Sequence, residues 1–99
     1  VLNNRMLTAE DALHMGLVNR VVPVEAYLDE AVKLAGEVAA RAPVAVRLGK
    51  EAVNQAFELS LSEGLYVERR AFYSLFATQD QKEGMRAFLE KRKPVWKGE

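Results

Sequence analysis

The chain has 99 residues, of which 49% are hydrophobic and 28% charged, a composition typical of one globular domain rather than a disordered segment. Fourteen basic residues balance fourteen acidic ones, so the chain lacks the broad positive charge expected of a protein that binds nucleic acid or an anionic membrane surface. The absence of cysteine excludes disulfide frameworks, thiolate metal sites and cysteine nucleophiles.

The N-terminal stretch VLNNRMLTAED has neither the basic flank nor the apolar core of a signal peptide, and no apolar run reaches membrane-spanning length. We therefore expect no membrane segment. The first residue is not methionine, which favours a cut or processed N-terminus. A chain this short leaves much apolar surface near solvent, so it needs either a very compact core or a neighbouring protein.

Residues 8–23 show the clearest local signals. Thr8 and Asp11 have the spacing of a capping box at the start of a helix, and Gly16 is placed to end that helix in the left-handed conformation. The β-branched run at residues 17–22, ended by Pro23, predicts one short strand, either on the edge of a sheet or packed against something absent from this chain.

After Pro23 the pattern is helical throughout. Apolar side chains at helical spacing predict a helix over residues 25–41, and Pro43 suits the first turn of the next helix. In the helix that begins at Pro43, the pattern places the following side chains inward: Leu48, Ala52, Val53, Ala56 and Phe57.

Two further helices are predicted towards the C-terminus. Ser60 and Glu63 form a second capping box, opening a helix that runs to about residue 76, and Thr78 opens the last helix, which ends at Glu90 and Lys91. The first of these helices carries aromatic residues around more than one face, so part of it is expected to face a partner or ligand. The apolar side of the last helix holds Met85, Phe88 and Leu89.

A search for catalytic residues finds no complete set. His14 is the only histidine, and we interpret it as a surface or packing residue. One histidine without cysteine does not supply a metal site, so no metal is predicted. The pairs Glu51/Glu58 and Glu63/Glu68 could act as acid and base but are better explained as solvated or ion-paired groups. We assign no catalytic residue.

The tracts AEDALHMGLVNRVV and FATQDQKEGMRAFLEKRKP carry a resemblance to a known family. They resemble the C-terminal third of the crotonase superfamily, and enoyl-CoA hydratase most of all. The second tract is the more specific, because the first is shared across the superfamily. The similarity extends over nearly the whole chain.

This resemblance implies a mainly α segment of a crotonase-type α/β fold. Residues 1–23 would be the end of the core, and residues 24–99 the C-terminal helical region that mediates trimerisation and contacts coenzyme A (CoA). Members of the superfamily form trimers, often paired into hexamers. Their oxyanion hole and two catalytic glutamates lie N-terminal to the matching region, so the segment alone is expected to be inactive. No cofactor is implied, because CoA is part of the substrate.

By the same resemblance, Phe72, Phe88 and Lys91 match residues that line the CoA site, commonly that of an adjacent subunit. Phe88 and Lys91 are three apart, which predicts one helical face carrying a ring for the adenine or pantetheine and a cation for the phosphates. The alternative is an ordinary helix end, where the dipole favours basic residues. Trp96 is expected to anchor the tail on a neighbouring surface, and three other cations are expected to be solvated: Arg92, Lys93 and Lys97.

Two other functions remain open at this stage. One is an enoyl-CoA or ring-opening isomerase of the same superfamily, and the other is a non-catalytic helical module that binds protein through its aromatic helix. The resemblance implies an acyl-CoA thioester as substrate, and the balance of basic and acidic residues predicts no nucleic acid and no membrane as partner. It also implies a bacterial cytoplasmic location, or the mitochondrial matrix in a eukaryote.

Overall fold

The structure is a computed structural model that describes residues 6–99. This part of the chain is helical, as predicted, and contains no strand. Its residues divide into two compact units, one ending at Ala35 and the other spanning Gly36–Glu99. This division lies inside a helix and does not test the domain boundary predicted after residue 23.

The first unit begins with helix α1, Ala9–His14. The Oγ1 atom of Thr8 accepts a hydrogen bond from the Asp11 amide at 3.0 Å, and the Thr8 amide donates to the Asp11 carboxylate, which confirms the capping box. Gly16 has a φ of 72°, and the amide of Leu17 donates to the carbonyl of Ala12 at 2.8 Å. The predicted glycine stop is therefore also confirmed, as a Schellman motif.

The strand predicted at residues 17–22 is wrong for this chain. A strand needs a neighbour to accept its ladder of hydrogen bonds, and residues 6–99 contain no other strand. The amide of Val18 donates instead to the carbonyl of Ala12 at 3.3 Å, and Arg20 forms an ion pair with Glu30 at 2.9 Å. Helix α2 then spans Tyr27–Ala39, two residues shorter at each end than predicted.

The second unit contains helices α3 (Pro43–Gln55), α4 (Leu61–Leu75) and α5 (Gln79–Leu89). Pro43 occupies the first turn of α3, and Thr78 caps α5 through the Gln81 amide, as predicted. Ser60 caps α4 by accepting from the Glu63 amide at 3.4 Å. Helices α3 and α4 pack against each other.

Large apolar side chains are mostly exposed. Leu48 and Ala52 of α3 are half-buried, but Val53 is 56% exposed and Phe57 85% exposed, so the prediction that all of this face points inward is wrong. Among residues 6–99, the buried hydrophobic residues are only Ala12 and Ala87. This surface is much more apolar than a stable isolated domain needs, and it is the kind of surface that a partner covers.

Candidate functional site

Phe72 lies on α4 beside an apolar cavity of about 320 Å³. Its ring contacts that of Phe76 edge-on, with 5.3 Å between the ring centroids. The aromatic excess predicted for α4 is present, since its three aromatic side chains and that of its C-cap residue are each more than half exposed: Tyr66, Phe72, Tyr73 and the C-cap Phe76. The other cavity walls come from α3, from Gly84 and Met85 of α5, and from Trp96.

Phe88 and Lys91 lie at the C-terminal end of α5. Phe88 is 80% exposed and is not among the described residues that line the cavity beside Phe72. Lys91 lies past the last helical residue, where it has a φ of 54°. The prediction that these two residues share one helical face is therefore wrong, because the backbone leaves the helix between them. They are instead joined by a turn, in which the Lys91 amide donates to the Phe88 carbonyl at 3.3 Å.

Arg92 is not the solvated cation that the sequence predicts. Its Nη2 donates to Oε2 of Glu83 at 2.9 Å, its Nη1 donates to the other oxygen of that carboxylate, and its Nε donates to Glu90. These hydrogen bonds from Arg92, followed by one from the Val95 amide, lower the pKa of Glu83 from 4.5 to about 2. The two carboxylates in turn raise the pKa of Arg92. In the described part of the chain, no carboxylate lies within ion-pairing distance of Lys91.

Residues 93–99, which we call the C-terminal strap, run back along α5. Asp80, only 3% exposed, accepts hydrogen bonds from the amides of Lys97 at 2.7 Å and Gly98 at 2.9 Å. Glu83 accepts one from Val95 at 2.9 Å. The carbonyl of Glu99 accepts from the Gln79 amide at 2.7 Å, one of the free amides of the first turn of α5. Two carboxylates and a helix end thus hold the strap.

Trp96 anchors the strap within this chain. Its Nε1 donates to the carbonyl of Ala40 at 2.8 Å, and its ring lies over Gly84 so closely that a Cβ added there would be 3.3 Å from Cη2. Sequence reasoning missed Gly84 and the buried acceptor role of Asp80. The sequence did offer a signal for this packing. Asp80 and Glu83 lie three residues apart on the last helix, and Trp96 is the one tryptophan of the tail that follows.

The remaining candidates behave as ordinary helix residues. His14 is exposed, and its Nδ1 lies 2.8 Å from the carbonyl oxygen of Glu10 in the same helix. Across residues 6–99, histidine, aspartate and glutamate nowhere form a group of three that could hold a metal ion. None of the helices in this range combines the length and apolar composition needed to cross a membrane.

Comparison with known proteins identifies the family. The model of the enoyl-CoA hydratase/isomerase family matches residues 1–99, and the chain belongs to that family. A probable mitochondrial enoyl-CoA hydratase of Dictyostelium discoideum is 53% identical over 96 residues, covering 97% of this chain and 35% of that protein. A probable enoyl-CoA hydratase of Mycobacterium bovis is 53% identical over 94 residues, covering 95% of this chain and 37% of that protein.

A solved structure shows the same fold. The crystal structure of enoyl-CoA hydratase from Bacillus anthracis superposes with a TM-score of 0.87 at 42% identity, covering 92% of this chain and 35% of that one. The resemblance seen in the sequence is therefore confirmed. The chain spans little more than a third of the length of each of these three proteins.

Proposed function

We propose that this chain is the C-terminal part of an enoyl-CoA hydratase, an enzyme that adds water across the 2,3 double bond of a 2-enoyl-CoA. The observation that carries the proposal is the 53% identity, over almost the whole chain, to proteins named as probable enoyl-CoA hydratases. The isomerases of the same family are a weaker fit, because the similar proteins reported above are named as hydratases.

The reaction itself is assigned to residues outside this chain. In the proposed mechanism two backbone amides polarise the thioester carbonyl, so that electron density leaves C3 of the acyl group. Two glutamates orient and activate water, whose oxygen bonds to C3 while a proton is delivered to C2. The sequence assigns none of these roles to residues 1–99. The substrate is an acyl-CoA thioester, and no separate cofactor is proposed.

This chain is proposed to contribute Phe72, Phe88 and Lys91 to the CoA site. The exposure of both rings supports this role, since Phe72 is 56% and Phe88 80% exposed and each can receive an apolar ligand group. Lys91 is exposed and, as described above, lacks a carboxylate partner among the described residues, so its ammonium can meet a phosphate. The rings of Phe72 and Phe88 would pack against the adenine or the pantetheine arm of bound CoA.

Self-association is the second proposed role. Exposed apolar residues lie on every helix of the second unit, including Val53 of α3 at 56%, Leu61 of α4 at 80% and Met85 of α5 at 56%. Burial of apolar surface of this kind stabilises an oligomer by about 25 cal/mol per Å². We propose that these surfaces pack against the rest of the subunit and against neighbouring subunits, in a trimer or a pair of trimers. The proposed location is the bacterial cytoplasm, or the mitochondrial matrix in a eukaryote.

Following the ultraviolet absorbance of crotonyl-CoA tests the function. Hydration removes the conjugated double bond, so we expect the absorbance to fall with the intact protein that contains this chain and to stay constant with residues 1–99 alone. Turnover by residues 1–99 alone would contradict the proposed division of labour. If the intact protein instead raised the absorbance of a 3-enoyl-CoA without hydrating crotonyl-CoA, an isomerase would replace the hydratase. If the intact protein hydrated no crotonyl-CoA, and its size in solution were the same with and without CoA, a protein-interaction module would be favoured.

A further inference from the structure

Lys91 occupies a backbone conformation that lysine rarely adopts. Two helices of this chain end in the same Schellman motif, and at the residue after the C-cap α1 has Gly16 with a φ of 72° whereas α5 has Lys91 with a φ of 54°. Glycine takes this left-handed conformation at no steric cost, whereas a residue with a Cβ is strained there. Such strain persists only where the surroundings impose it, and it is found often at ligand-binding positions.

The surroundings of Lys91 impose this conformation through Arg92. The amide of Arg92 donates to the carbonyl of Ala87 at 3.0 Å, which closes the turn around Lys91. The guanidinium then binds Glu83, two turns back along α5, through both carboxylate oxygens, and binds Glu90 on the other side of Lys91. The Glu83 side chain is only 19% exposed, whereas that of Arg92 is 37% exposed, so the carboxylate is half-buried and the guanidinium covers it from the surface. The pair therefore fastens the residue after Lys91 to the body of the helix.

Glu83 is suited to hold the Arg92 guanidinium at all pH values near neutrality. Its carboxylate accepts from two guanidinium nitrogens of Arg92 and from the Val95 amide, so both of its oxygens are engaged within this chain. The planar fork of arginine matches a carboxylate in this bidentate way, and lysine cannot reproduce it. With a pKa of about 2, Glu83 remains ionised throughout the neutral range.

We propose that Glu83 and Arg92 are positioning residues that hold the turn at Lys91 in its left-handed form and so present the Lys91 ammonium to the phosphates of CoA. This inference rests on the proposed role of Lys91 in CoA binding. Its physical basis is preorganisation: a flexible lysine fixed at its backbone loses less conformational entropy when it binds a phosphate. Glycine at position 91 would relieve the backbone strain, but it has no ammonium to bind a phosphate. The strained lysine is therefore retained.

The test uses the intact protein and separates KM for crotonyl-CoA from kcat. We expect K91A to raise KM by about tenfold, a loss equivalent to about 1.4 kcal/mol of binding. E83Q and R92A should raise KM by about threefold or more and leave kcat within about twofold, since neither touches the reacting atoms. R92K should recover part of the loss, because it retains the charge without the fork. K82M, which removes a neighbouring cation of α5, is the matched control with an unchanged KM.

A thermal measurement tests the strain independently of CoA and of activity. K91A and K91G both remove the ammonium, but only K91G relieves the left-handed conformation, so K91G should melt about 2 °C or more above K91A in the intact protein. A raised KM in K91A with wild-type KM in both E83Q and R92A would overturn the positioning role and leave the proposed function standing. An unchanged KM in K91A would instead reject the contact between Lys91 and CoA. Equal melting temperatures of K91A and K91G would show that the turn is not strained.

Discussion

The indole Nε1 of Trp96 donates a hydrogen bond to the carbonyl oxygen of Ala40 at 2.8 Å, joining the C-terminal strap to the residue that follows α2. The ring of the same residue lies against Gly84 on α5. Trp96 therefore links three parts of the second unit that are far apart in sequence.

Replacing Trp96 with phenylalanine removes the hydrogen bond to Ala40 while keeping an aromatic ring. We expect the free energy of unfolding to fall by about 1 kcal/mol, the usual net contribution of one such bond. Urea unfolding followed by circular dichroism measures this change. W96A should be less stable than W96F because it also loses the ring packing on Gly84. Equal stability of W96F and the wild type would show that the hydrogen bond is not formed in solution.

Gly84 and Gly49 provide a matched pair of helix glycines. Alanine raises helix propensity by about 1 kcal/mol, and at Gly49 a Cβ would meet no atom within 4 Å, so G49A should be more stable than the wild type. At Gly84 the Cβ would lie 3.3 Å from Trp96, so the same gain should be cancelled by the displacement of the ring. Thermal unfolding of the two variants, with the Trp96 emission spectrum, measures the difference. A G84A variant as stabilised as G49A, with unshifted emission, would contradict the packing described.

Asp80 is expected to be the main anchor of the strap. D80N replaces one acceptor oxygen with an NH₂ group facing a backbone amide, so we expect a loss of about 1–3 kcal/mol in unfolding free energy. Hydrogen exchange at the amides of Lys97 and Gly98 should accelerate with it. D29N, a change of the same type in the exposed first turn of α2, is the control and should alter stability by about 0.5 kcal/mol or less. Unchanged exchange at both amides in D80N would rule out the anchor.

Stability at acidic pH should report the Glu83 pair. The pKa of Glu83 in the folded protein is about 2, below its ordinary 4.5, so the folded state favours the ionised carboxylate. Its contribution is therefore complete above about pH 4.5 and is lost as the pH falls towards 2. E83Q should be less stable than the wild type at pH 6. The difference between their free energies of unfolding should shrink as the pH falls from about 4.5 towards 2. If this difference in free energy stayed constant down to pH 2, Glu83 would not be paired with Arg92 in solution.

The local signals of the sequence were the most predictive. Thr8, Gly16, Pro43 and Thr78 set helix starts and stops through contacts within a few residues, and the structure places each as predicted. The resemblance identified the family from its motifs. These features need no knowledge of distant parts of the chain.

What the sequence did not predict depends on long-range contacts. The pairing of Arg92 with Glu83 spans nine residues and a reversal of the chain, and the hydrogen bond of Trp96 spans 56 residues. The β-branched run at residues 17–22 and the apolar residue Phe57 were misassigned for a related reason. Periodicity indicates which residues can be covered, but it does not say whether the covering surface belongs to the same chain.

The central claim, that the end of α5 forms part of a CoA site, is tested most directly by titrating CoA into the intact protein and measuring the heat of binding for F88A and L89A. These neighbouring side chains are 80% and 77% exposed, so the two variants remove similar apolar area from the same turn. We predict that F88A binds CoA about tenfold or more weakly than the wild type, and that L89A binds it with unchanged affinity. Wild-type affinity in F88A would contradict the assignment of this surface to CoA.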